Sequence, residues 1–513
     1  MIRLLAALLI LLAAPALAAE RAPDVVLKGS LSGADNQTYR ELPFVVPDGI
    51  ARLTVRFSYS GKEQHTTIDL GLFDPERFRG WSGGNKASFT LSETDATPSY
   101  LPGPIPAGTW KLQLGIPNIR KDAHADYEAR IFFDKPGAPY EVSAFSDAPL
   151  RIGPAWYRGD LHMHTAHSDG SCDSQAGRKV PCPLFKTVEA AAARGLDFIA
   201  ITDHNATSQY GAMRELQPYY DKTLLIPGRE ITTFQGHANV LGPTGFIDFR
   251  LGSAGVPTFA KLLDQVEALH GLIAINHPAL PSGEICMGCG WSVKDTDFAR
   301  VQAVEIVNGG ATALFGTAEN PVSGIPFWEA LLNKGFRLTA IGGSDNHESP
   351  SPKAPVGNPV TAVYAANLSD AAILAAIRAG HAFVDVEGST TRLLEFSAEN
   401  TRGKATMGDV LKNYTGDSVD FTIHVAGVEG GNIEIVEDGE KPAALNGSFR
   451  LPADYHVNFN WGWDGPKFNP QPHWFRVNVR DAKGRLVLIG NPIYIRPTPW
   501  PPHGFPRAGA HRP

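Results

Sequence analysis

The chain has 513 residues, a formal net charge of −7 at pH 7 and 43% hydrophobic residues. Because this length exceeds what one hydrophobic core usually organises, two to three domains are expected. The slightly acidic balance lacks the basic surface that binding to a phosphate backbone requires, so nucleic acid is excluded as a main partner.

The N-terminus has the features of a secretory signal peptide. Arg3 provides a short cationic start, an apolar run follows from Leu4 to Ala14, and Ala16-Leu17-Ala18 forms an Ala-x-Ala cleavage site. The run is too short to span a bilayer as a mature helix, although an uncleaved membrane anchor is the alternative. We therefore expect residues 1–18 to be removed and the mature chain to be periplasmic or secreted, without a membrane partner.

Residues 19–148 are predicted to form an N-terminal β-sandwich. Apolar and polar residues alternate in Leu53–Tyr59 and in Trp110–Leu114, which is typical of strands with one face exposed to water. Pro136-Gly137-Ala138-Pro139 then has the composition of a linker.

Residues 149–390 show short apolar runs that alternate with helical stretches. Runs such as Asp197–Ile201 and Gly271–Ile275 lack polar alternation, which indicates strands buried on both faces. Intervening helices, predicted at Phe185–Arg194, Phe259–His270 and Asp370–Arg378, imply parallel crossovers. The simplest architecture is a closed or nearly closed α/β barrel.

Alternation returns in residues 391–496, for example in Val419–Val425 and Trp474–Val479, and predicts a smaller C-terminal β-sandwich. The proline-rich residues 497–513 are predicted to be disordered. The expected fold class is therefore multidomain, an α/β barrel flanked by all-β domains.

Four cysteines fit an oxidising compartment, since an even number favours disulfides. Three connectivities are possible, and we favour the local pairs Cys172 with Cys182 and Cys286 with Cys289. The alternatives for the second pair are a redox motif or half of a zinc site, which its Gly-rich surroundings disfavour.

The first candidate site element is Asp160-Leu161-His162-Met163-His164-Thr165. Residues two apart on a strand face the same way, so His162 and His164 can reach one ion. Other His, Asp and Glu residues follow apolar runs, and the carboxyl ends of barrel strands converge in space. Asp169 and His237 are expected at loop positions beside the same ends. Nine candidate metal ligands result: His162, His164, Asp169, His204, Glu230, His237, His277, Asp345 and His347.

Each candidate alone has a simpler interpretation. A single histidine such as His237 is more often a hydrogen-bonded residue, and Asp169-Gly170 alone is more often a turn. Asp203 and His204 are neighbours, so only one can point into the barrel, and we assign His204. Arg229 is expected to brace its strand. An ordinary structural role is assigned to His167, His270 and His381.

The ordered motifs resemble those of the PHP (polymerase and histidinol phosphatase) family. They are Asp160-Leu161-His162-x-His164-Thr165, Ser168-Asp169-Gly170, Thr202-Asp203-His204, Gly228-x-Glu230, Gly236-His237, Asn276-His277-Pro278, Val304-Glu305-x-x-Asn308-Gly309 and Gly343-Ser344-Asp345-x-His347. With the signal peptide and flanking β-domains, the chain is similar to the exported CehA/McbA branch of metallohydrolases, which includes carbamate and aryl ester hydrolases. The resemblance covers only the barrel.

This resemblance implies a distorted seven-stranded α/β barrel with two or three divalent metal ions. His162, His164, Glu230 and Asp345 would hold one ion, and Glu230 would bridge to a second held by His237 and His277. A third would be held by Asp169, His204 and His347, although Asp169 stands where many relatives have histidine.

The mixed ligands favour Zn, Mn or Fe(II) over Mg or Ca. Three divalent ions and the three carboxylates give a formal site charge of 6 − 3 = +3, which favours an anionic ester. We therefore predict a phosphoesterase in which a metal-bridged hydroxide attacks phosphorus, with Asp345, Glu230 and His164 as catalytic residues and Asp345 or a metal assisting proton transfer.

Two alternatives stay open at this point. One is hydrolysis of a neutral carbamate or carboxylic ester at the same metals. The other is a non-catalytic protein that binds a glycan or polymer through its β-sandwiches, with an inert barrel.

Overall fold

The structure is a computed structural model that describes residues 21–137, 145–146, 148–284, 286–351, 354–413, 418–446, 450–462 and 472–497. The predicted signal peptide, part of the linker and all but the first residue of the proline-rich tail lie outside these ranges. Within them, no helix is long and apolar enough to span a bilayer. The chain divides into two compact units, residues 1–90 with 106–134 and residues 91–105 with 135–513.

The first unit is built from antiparallel strands. They are β1 (Val25–Ser32), β2 (Thr38–Val46), β3 (Arg52–Tyr59), β4 (Thr67–Phe73), β5 (Phe78–Ser82), β6 (Ser88–Ser92), β7 (Gly108–Asn118) and β8 (His124–Asp134). They form two four-stranded sheets with the orders β1-β8-β3-β6 and β2-β7-β4-β5. In β3 the alternating residues Leu53, Val55 and Phe57 are buried, so the predicted strands with one wet face are confirmed.

The second unit begins with alternating strands and helices. They are β9 (Arg151–Asp160), β10 (Ser171–Asp173), β11 (Lys179–Pro181), α1 (Leu184–Ala193), β12 (Phe198–Ile201), α2 (Gln209–Leu216), β13 (Leu224–Thr233), β14 (Gly236–Leu241), α3 (Phe259–Ala268), β15 (Leu272–Ile275), β16 (Ala303–Asn308), α4 (Gly309–Phe315), α5 (Ile325–Asn333), β17 (Thr339–Gly343), β18 (Val360–Leu368), α6 (Asp370–Ala379) and β19 (Ala382–Asp385). The three predicted helices correspond to α1, α3 and α6.

Local chemistry explains why these helices begin and end where they do. The hydroxyl of Thr258 accepts a hydrogen bond from the backbone of Lys261 and caps α3. Ser369 caps α6 in the same way, and Gly380 ends that helix with a φ of 80°, a left-handed conformation that glycine adopts without strain.

Seven strands of the large sheet follow the order β17-β16-β15-β14-β13-β12-β9. The segments that follow the two end strands, β9 and β17, are hydrogen-bonded to each other. His164 N–H donates to Asn346 O at 2.9 Å, and Asp345 N–H donates to His162 O at 2.8 Å. The predicted parallel pairing is present between β9 and β12, β12 and β13, β15 and β16, and β16 and β17. In contrast, β14 runs antiparallel to both β13 and β15. Only two residues separate β13 from β14, which allows a hairpin and no crossover helix.

The remaining strands form two layers with a shared core. They are β20 (Leu393–Asn400), β21 (Gly403–Thr406), β22 (Val410–Asn413), β23 (Ser418–Ala426), β24 (Asn432–Glu437), β25 (Asp454–Gly462), β26 (His473–Arg480), β27 (Leu486–Gly490) and β28 (Ile493–Pro497). One layer is the sheet β21-β20-β23-β25, whose Phe396 and Phe421 pack with Phe475 and Val487 of the other. The second layer continues the large sheet through the β19–β27 ladder, which crosses the expected domain boundary at residue 390.

Candidate metal centre

Glu230 lies at the centre of the predicted ligands. It is fully buried in β13, and its Oε1 lies 3.3 Å from His162 Nε2 and 3.4 Å from both His237 Nδ1 and His277 Nε2. Its Oε2 lies 2.8 Å from His204 Nδ1 and 3.6 Å from His164 Nε2. One carboxylate therefore faces five imidazoles, so it can bridge ions held on different sides. Glu230 sits within a long strand, not at the end of a strand as its sequence position suggested.

Asp345 faces the same centre from just beyond β17. Its Oδ1 lies 3.3 Å from His162 Nε2, 3.2 Å from His164 Nε2 and 3.5 Å from His347 Nδ1. Its φ is 52°, a left-handed conformation that is uncommon for a residue other than glycine. Such local strain is characteristic of positions where the surrounding structure fixes a functional side chain.

Asp169 lies at the outer side of the pocket. Its Oδ1 is 3.4 Å from His347 Nε2, 3.7 Å from His204 Nε2 and 3.9 Å from His164 Nδ1. Its side chain is 58% exposed, whereas those of His162, His164 and Glu230 are buried. The structure thus brings all nine candidate ligands together, and the pocket opens on the side of Asp169.

The donor atoms of the pocket fit metal ions. Three nitrogen atoms that face the two central carboxylates are buried without a hydrogen-bond partner in the described part of the chain: His162 Nε2, His164 Nε2 and His237 Nδ1. A buried polar atom without a partner is costly, and buried carboxylates need positive charge beside them. Divalent cations satisfy both requirements, so the residues fit the metals that the sequence predicts.

The charges in the pocket perturb its titrating groups. Burial lowers the pKa of His162, but Asp345, Glu305 and Glu230 outweigh it and hold that pKa well above 6.5. Burial lowers the pKa of His164 to about 4, since its contact with Asp345 is opposed by the neighbouring His347 and His204. Burial would raise the pKa of Glu230 and Asp345, yet the imidazoles, His162 first, hold both well below their usual values.

Glu305 is a functional candidate that the sequence analysis quoted in a motif without assigning it a role. Its Oε1 lies 2.9 Å from His162 Nδ1, and its Oε2 accepts hydrogen bonds from the backbone of His277 at 2.9 Å and from Asn308 Nδ2 at 3.2 Å. Because a carboxylate accepts the Nδ1 proton, the neutral form of His162 directs its Nε2 lone pair at the centre. Its signal in the sequence was a carboxylate inside the otherwise apolar run of β16.

Two asparagines orient the central carboxylates. Asn276 Nδ2 donates to Glu230 Oε1 at 2.8 Å, and Asn308 Nδ2 donates to Asp345 Oδ2 at 3.1 Å. Asn308 also caps α4 through its Oδ1, which accepts from the backbone of Ala311. The start of that helix therefore fixes a side chain of the site.

The residues excluded by sequence reasoning have the expected structural roles. Asp203 points away from the pocket and accepts hydrogen bonds from Thr165 N at 2.7 Å and Ser168 Oγ at 2.7 Å, which fixes the loop that carries Asp169. Buried Arg229 donates to Gly245 O at 2.6 Å and braces β13. The partners of His167, His270 and His381 are Ser208, the carbonyl of Gly137 and Asp409.

Both predicted local disulfides are confirmed, Cys172–Cys182 and Cys286–Cys289. The first joins the β10–β11 hairpin, in which Ser171 N–H donates to His347 O at 2.7 Å. In the second loop, Met287 O lies 3.2 Å from His237 Nε2, so that this nitrogen donates and Nδ1 faces Glu230. Each disulfide thus stabilises a loop that positions a site histidine.

Comparisons with known proteins give limited similarity. No family model matches the chain, and no curated protein matches it. A two-domain protein from Bacteroides vulgatus, described as containing a predicted PHP-like metal-dependent phosphoesterase, is 17% identical over 70% of this chain and 100% of its own, with a TM-score of 0.35. A protein from Bifidobacterium adolescentis, named as a proposed metal-dependent phosphoesterase, is 16% identical over 41% of this chain and 92% of its own, with a TM-score of 0.28. These similarities are too weak to assign a function, whereas the geometry of the pocket indicates its chemistry.

Proposed function

We propose that this chain is a metal-dependent hydrolase of the PHP type that acts on phosphoric esters. The observation that carries the proposal is the convergence of six imidazoles on two central carboxylates, where three buried imidazole nitrogens that face these carboxylates have no hydrogen-bond partner among the described residues. The seven strands β9 and β12 to β17 would then form the distorted barrel that holds this pocket.

The contacts support the predicted distribution of ligands over two or three ions of Zn, Mn or Fe. His162, His164 and Asp345 surround one position, and Glu230 reaches from it toward His237 and His277. Asp169 approaches His204 and His347 at the third. When bound, such ions would lower the pKa of a water molecule and stabilise the negative charge that develops on the attacked group.

Exposure indicates the side from which substrate approaches. His347 is 39% exposed and Asp169 is 58% exposed, whereas His162 is fully buried. Of the two central carboxylates, Asp345 is 18% exposed and Glu230 is fully buried, so Asp345 is the one that water or substrate can reach. This difference supports Asp345 as the group that assists proton transfer, and Glu230 as a bridging ligand.

An anionic substrate follows from the charge of the loaded site. A net charge of +3, from three divalent ions and the ligands Asp169, Glu230 and Asp345, favours a phosphoric ester over a neutral carbamate or carboxylic ester. Glu305, which contacts His162, adds a fourth carboxylate to the site, so the formal charge of the loaded site including Glu305 is 6 − 4 = +2. The sign, and hence the preference for an anion, is unchanged.

An exported location is proposed on two observations. The two disulfides in the described part of the chain are typical of an oxidising compartment. The apolar N-terminal run with its Ala-x-Ala site favours the periplasm or secretion.

The test compares ester classes in the full mature chain, before and after removal of metal with a chelator. Bis(p-nitrophenyl) phosphate and p-nitrophenyl phosphate are assayed beside 1-naphthyl acetate and a 1-naphthyl carbamate. We expect phosphoester turnover that the chelator abolishes and added Zn or Mn restores. Glu230→Gln should remove it, whereas Glu399→Gln, at an exposed ion pair with Lys404, should not.

Other outcomes would assign another function. Turnover of the carbon esters alone would show that the phosphoesterase proposal is wrong. A protein without bound metal that turns over no ester would instead favour the non-catalytic binding protein.

A further inference from the structure

A second group of imidazoles and carboxylates lies on the outer face of the sheet β21-β20-β23-β25. The ladders place Glu395 of β20 opposite His424 of β23, and His424 opposite His456 of edge strand β25. The neighbouring Phe396 and Ile423 are buried in the core on the other face. The three polar residues therefore form a row across adjacent strands, outside the pocket described above.

Asp454 completes this group at the beginning of β25. Its Oδ1 lies 3.0 Å from His424 Nε2 and 3.9 Å from His456 Nε2. The two imidazole rings are stacked, with centroids 3.9 Å apart and an interplanar angle of 13°. One ligand atom from each of His424, Asp454 and His456 lies within 4.8 Å of the other two, which is close enough to share an ion.

The far side of His424 is held by a fixed acceptor. Glu395 Oε2 lies 2.9 Å from His424 Nδ1, and Glu395 Oε1 accepts a hydrogen bond from Trp156 Nε1 at 3.0 Å. Both oxygens of Glu395 therefore face donors, which fixes its carboxylate against His424. Histidines that bind metals commonly donate their second nitrogen to such a carboxylate.

Glu395 and Asp454 contact opposite nitrogens of His424. Because Glu395 holds Nδ1, Nε2 is the nitrogen directed at Asp454, 3.0 Å away. A divalent ion placed between Nε2, Asp454 and His456 would take one ligand atom from each of these three residues.

We propose that His424, Asp454 and His456 form a second binding site for a divalent transition metal, with Glu395 as the residue that positions His424. Two imidazoles and one carboxylate suit Zn, Cu or Ni, and hard ions such as Mg and Ca prefer oxygen ligands alone. The site joins β23 to the edge strand β25, so its metal would stabilise the pairing of that edge.

The experiment measures Zn equivalents bound by the full mature chain in equilibrium dialysis against buffered Zn²⁺, with elemental analysis of both compartments. His456→Ala and Asp454→Asn should each bind one equivalent fewer than the unaltered chain. His381→Ala is the matched control, because His381 Nε2 lies 3.2 Å from Asp409 Oδ1 in a similar histidine–carboxylate pair. Ester hydrolysis should be unchanged in His456→Ala.

The Glu395→Gln variant tests whether Glu395 positions His424 without itself binding the metal. It should retain the same number of equivalents but bind the Zn²⁺ of this site about 10- to 100-fold more weakly. Equal Zn stoichiometry in the unaltered chain, His456→Ala and Asp454→Asn would overturn the proposal. This difference between variants does not depend on whether the central pocket holds metal, so the two proposals fail separately.

Discussion

His162 contacts carboxylates through both ring nitrogens. Nδ1 faces Glu305, while Nε2 faces Glu230 and Asp345. The first contact selects the tautomer, and the second supplies a lone pair to the proposed metal. Glu305 therefore acts on the centre through His162 without being one of its nine candidate ligands.

Replacing Glu305 with glutamine tests this positioning role. An amide cannot accept from His162 Nδ1, the His277 backbone and Asn308 at once, so the imidazole loses its fixed tautomer. We expect Glu305→Gln to weaken metal binding about 10- to 100-fold with the fold retained, as measured by metal titration and circular dichroism. Glu319→Gln, at a surface ion pair with Arg480, is the control. Unchanged metal affinity in Glu305→Gln would contradict the role.

Protons compete with metal for the same imidazoles. Burial lowers the pKa of His162, His204 and His277, but neighbouring carboxylates outweigh it and raise all three above 6.5. Because a ligand imidazole must be neutral, metal binding has to displace protons. The apparent affinity should fall as the pH drops from about 8 to about 6, with proton release measured by calorimetry in buffers of different ionisation enthalpy. Affinity that does not change with pH would contradict this account.

The same shifts fix the sign of the stability change in the metal-free chain. A histidine whose pKa is higher in the folded than in the unfolded chain stabilises the fold through its protonated form. This stabilisation is fully present below the unfolded-state pKa, near 6.5, and is lost as the pH rises through the folded-state pKa. The free energy of unfolding of the metal-free chain should therefore decrease above about pH 6.5, whereas that of the metal-loaded chain should increase. Thermal denaturation of both forms across this range checks the opposite signs.

Strand β17 positions the pocket through a close approach of its backbone. A Cβ atom added at Gly343 would lie 2.4 Å from His162 Cβ and 2.7 Å from Glu305 Oε1, so both side chains would have to move. Gly343→Ala should cost about 1–3 kcal/mol of stability and most of the metal affinity. Gly211→Ala, in helix α2 where an added Cβ meets nothing within 4 Å, should stabilise the chain and retain metal. Full metal content in Gly343→Ala would contradict this role for β17.

The β10–β11 hairpin connects a disulfide to the exposed side of the pocket. Cys182 N–H donates to Gly170 O, and Ser171 N–H of the same hairpin donates to His347 O. Replacing Cys172 and Cys182 with alanine should cost about 2–4 kcal/mol and reduce bound metal by up to one equivalent, at Asp169 and His347. Elemental analysis and denaturant unfolding measure both effects. Unchanged metal content would show that the hairpin does not position this third ion.

Whether a segment is a helix or a strand could be predicted from the sequence better than the direction and pairing of the strands. The α3 and α6 helices are recognisable because their caps and apolar spacing are local. Strand β14 was missed, since His237 was expected in a loop and lies instead within this strand, in a hairpin with β13. The connection of β19 to β27 depends on contacts between residues far apart in the chain, which no local pattern encodes.

For the molecule as a whole, the convergence of the nine candidate ligands could be predicted because the polar groups follow strands that share one sheet. Asp169 and His237 were expected at loop positions beside the strand ends, and the structure brings both to the pocket. The roles of Glu305, Asn276 and Asn308 could not be predicted, since they depend on which atom of each side chain faces the centre. Such contacts arise only once the strands have been aligned.

The central claim is that bound cations hold these side chains together, and anomalous X-ray diffraction from crystals of the full mature chain tests it most directly. Data collected on both sides of the absorption edge of the metal found by elemental analysis should show at least two peaks. Each should lie within bonding distance of its candidate ligands, one beside His162 and Asp345 and another beside His237 and His277. Crystals grown with Zn or Mn that show no anomalous peak among these residues would contradict the account.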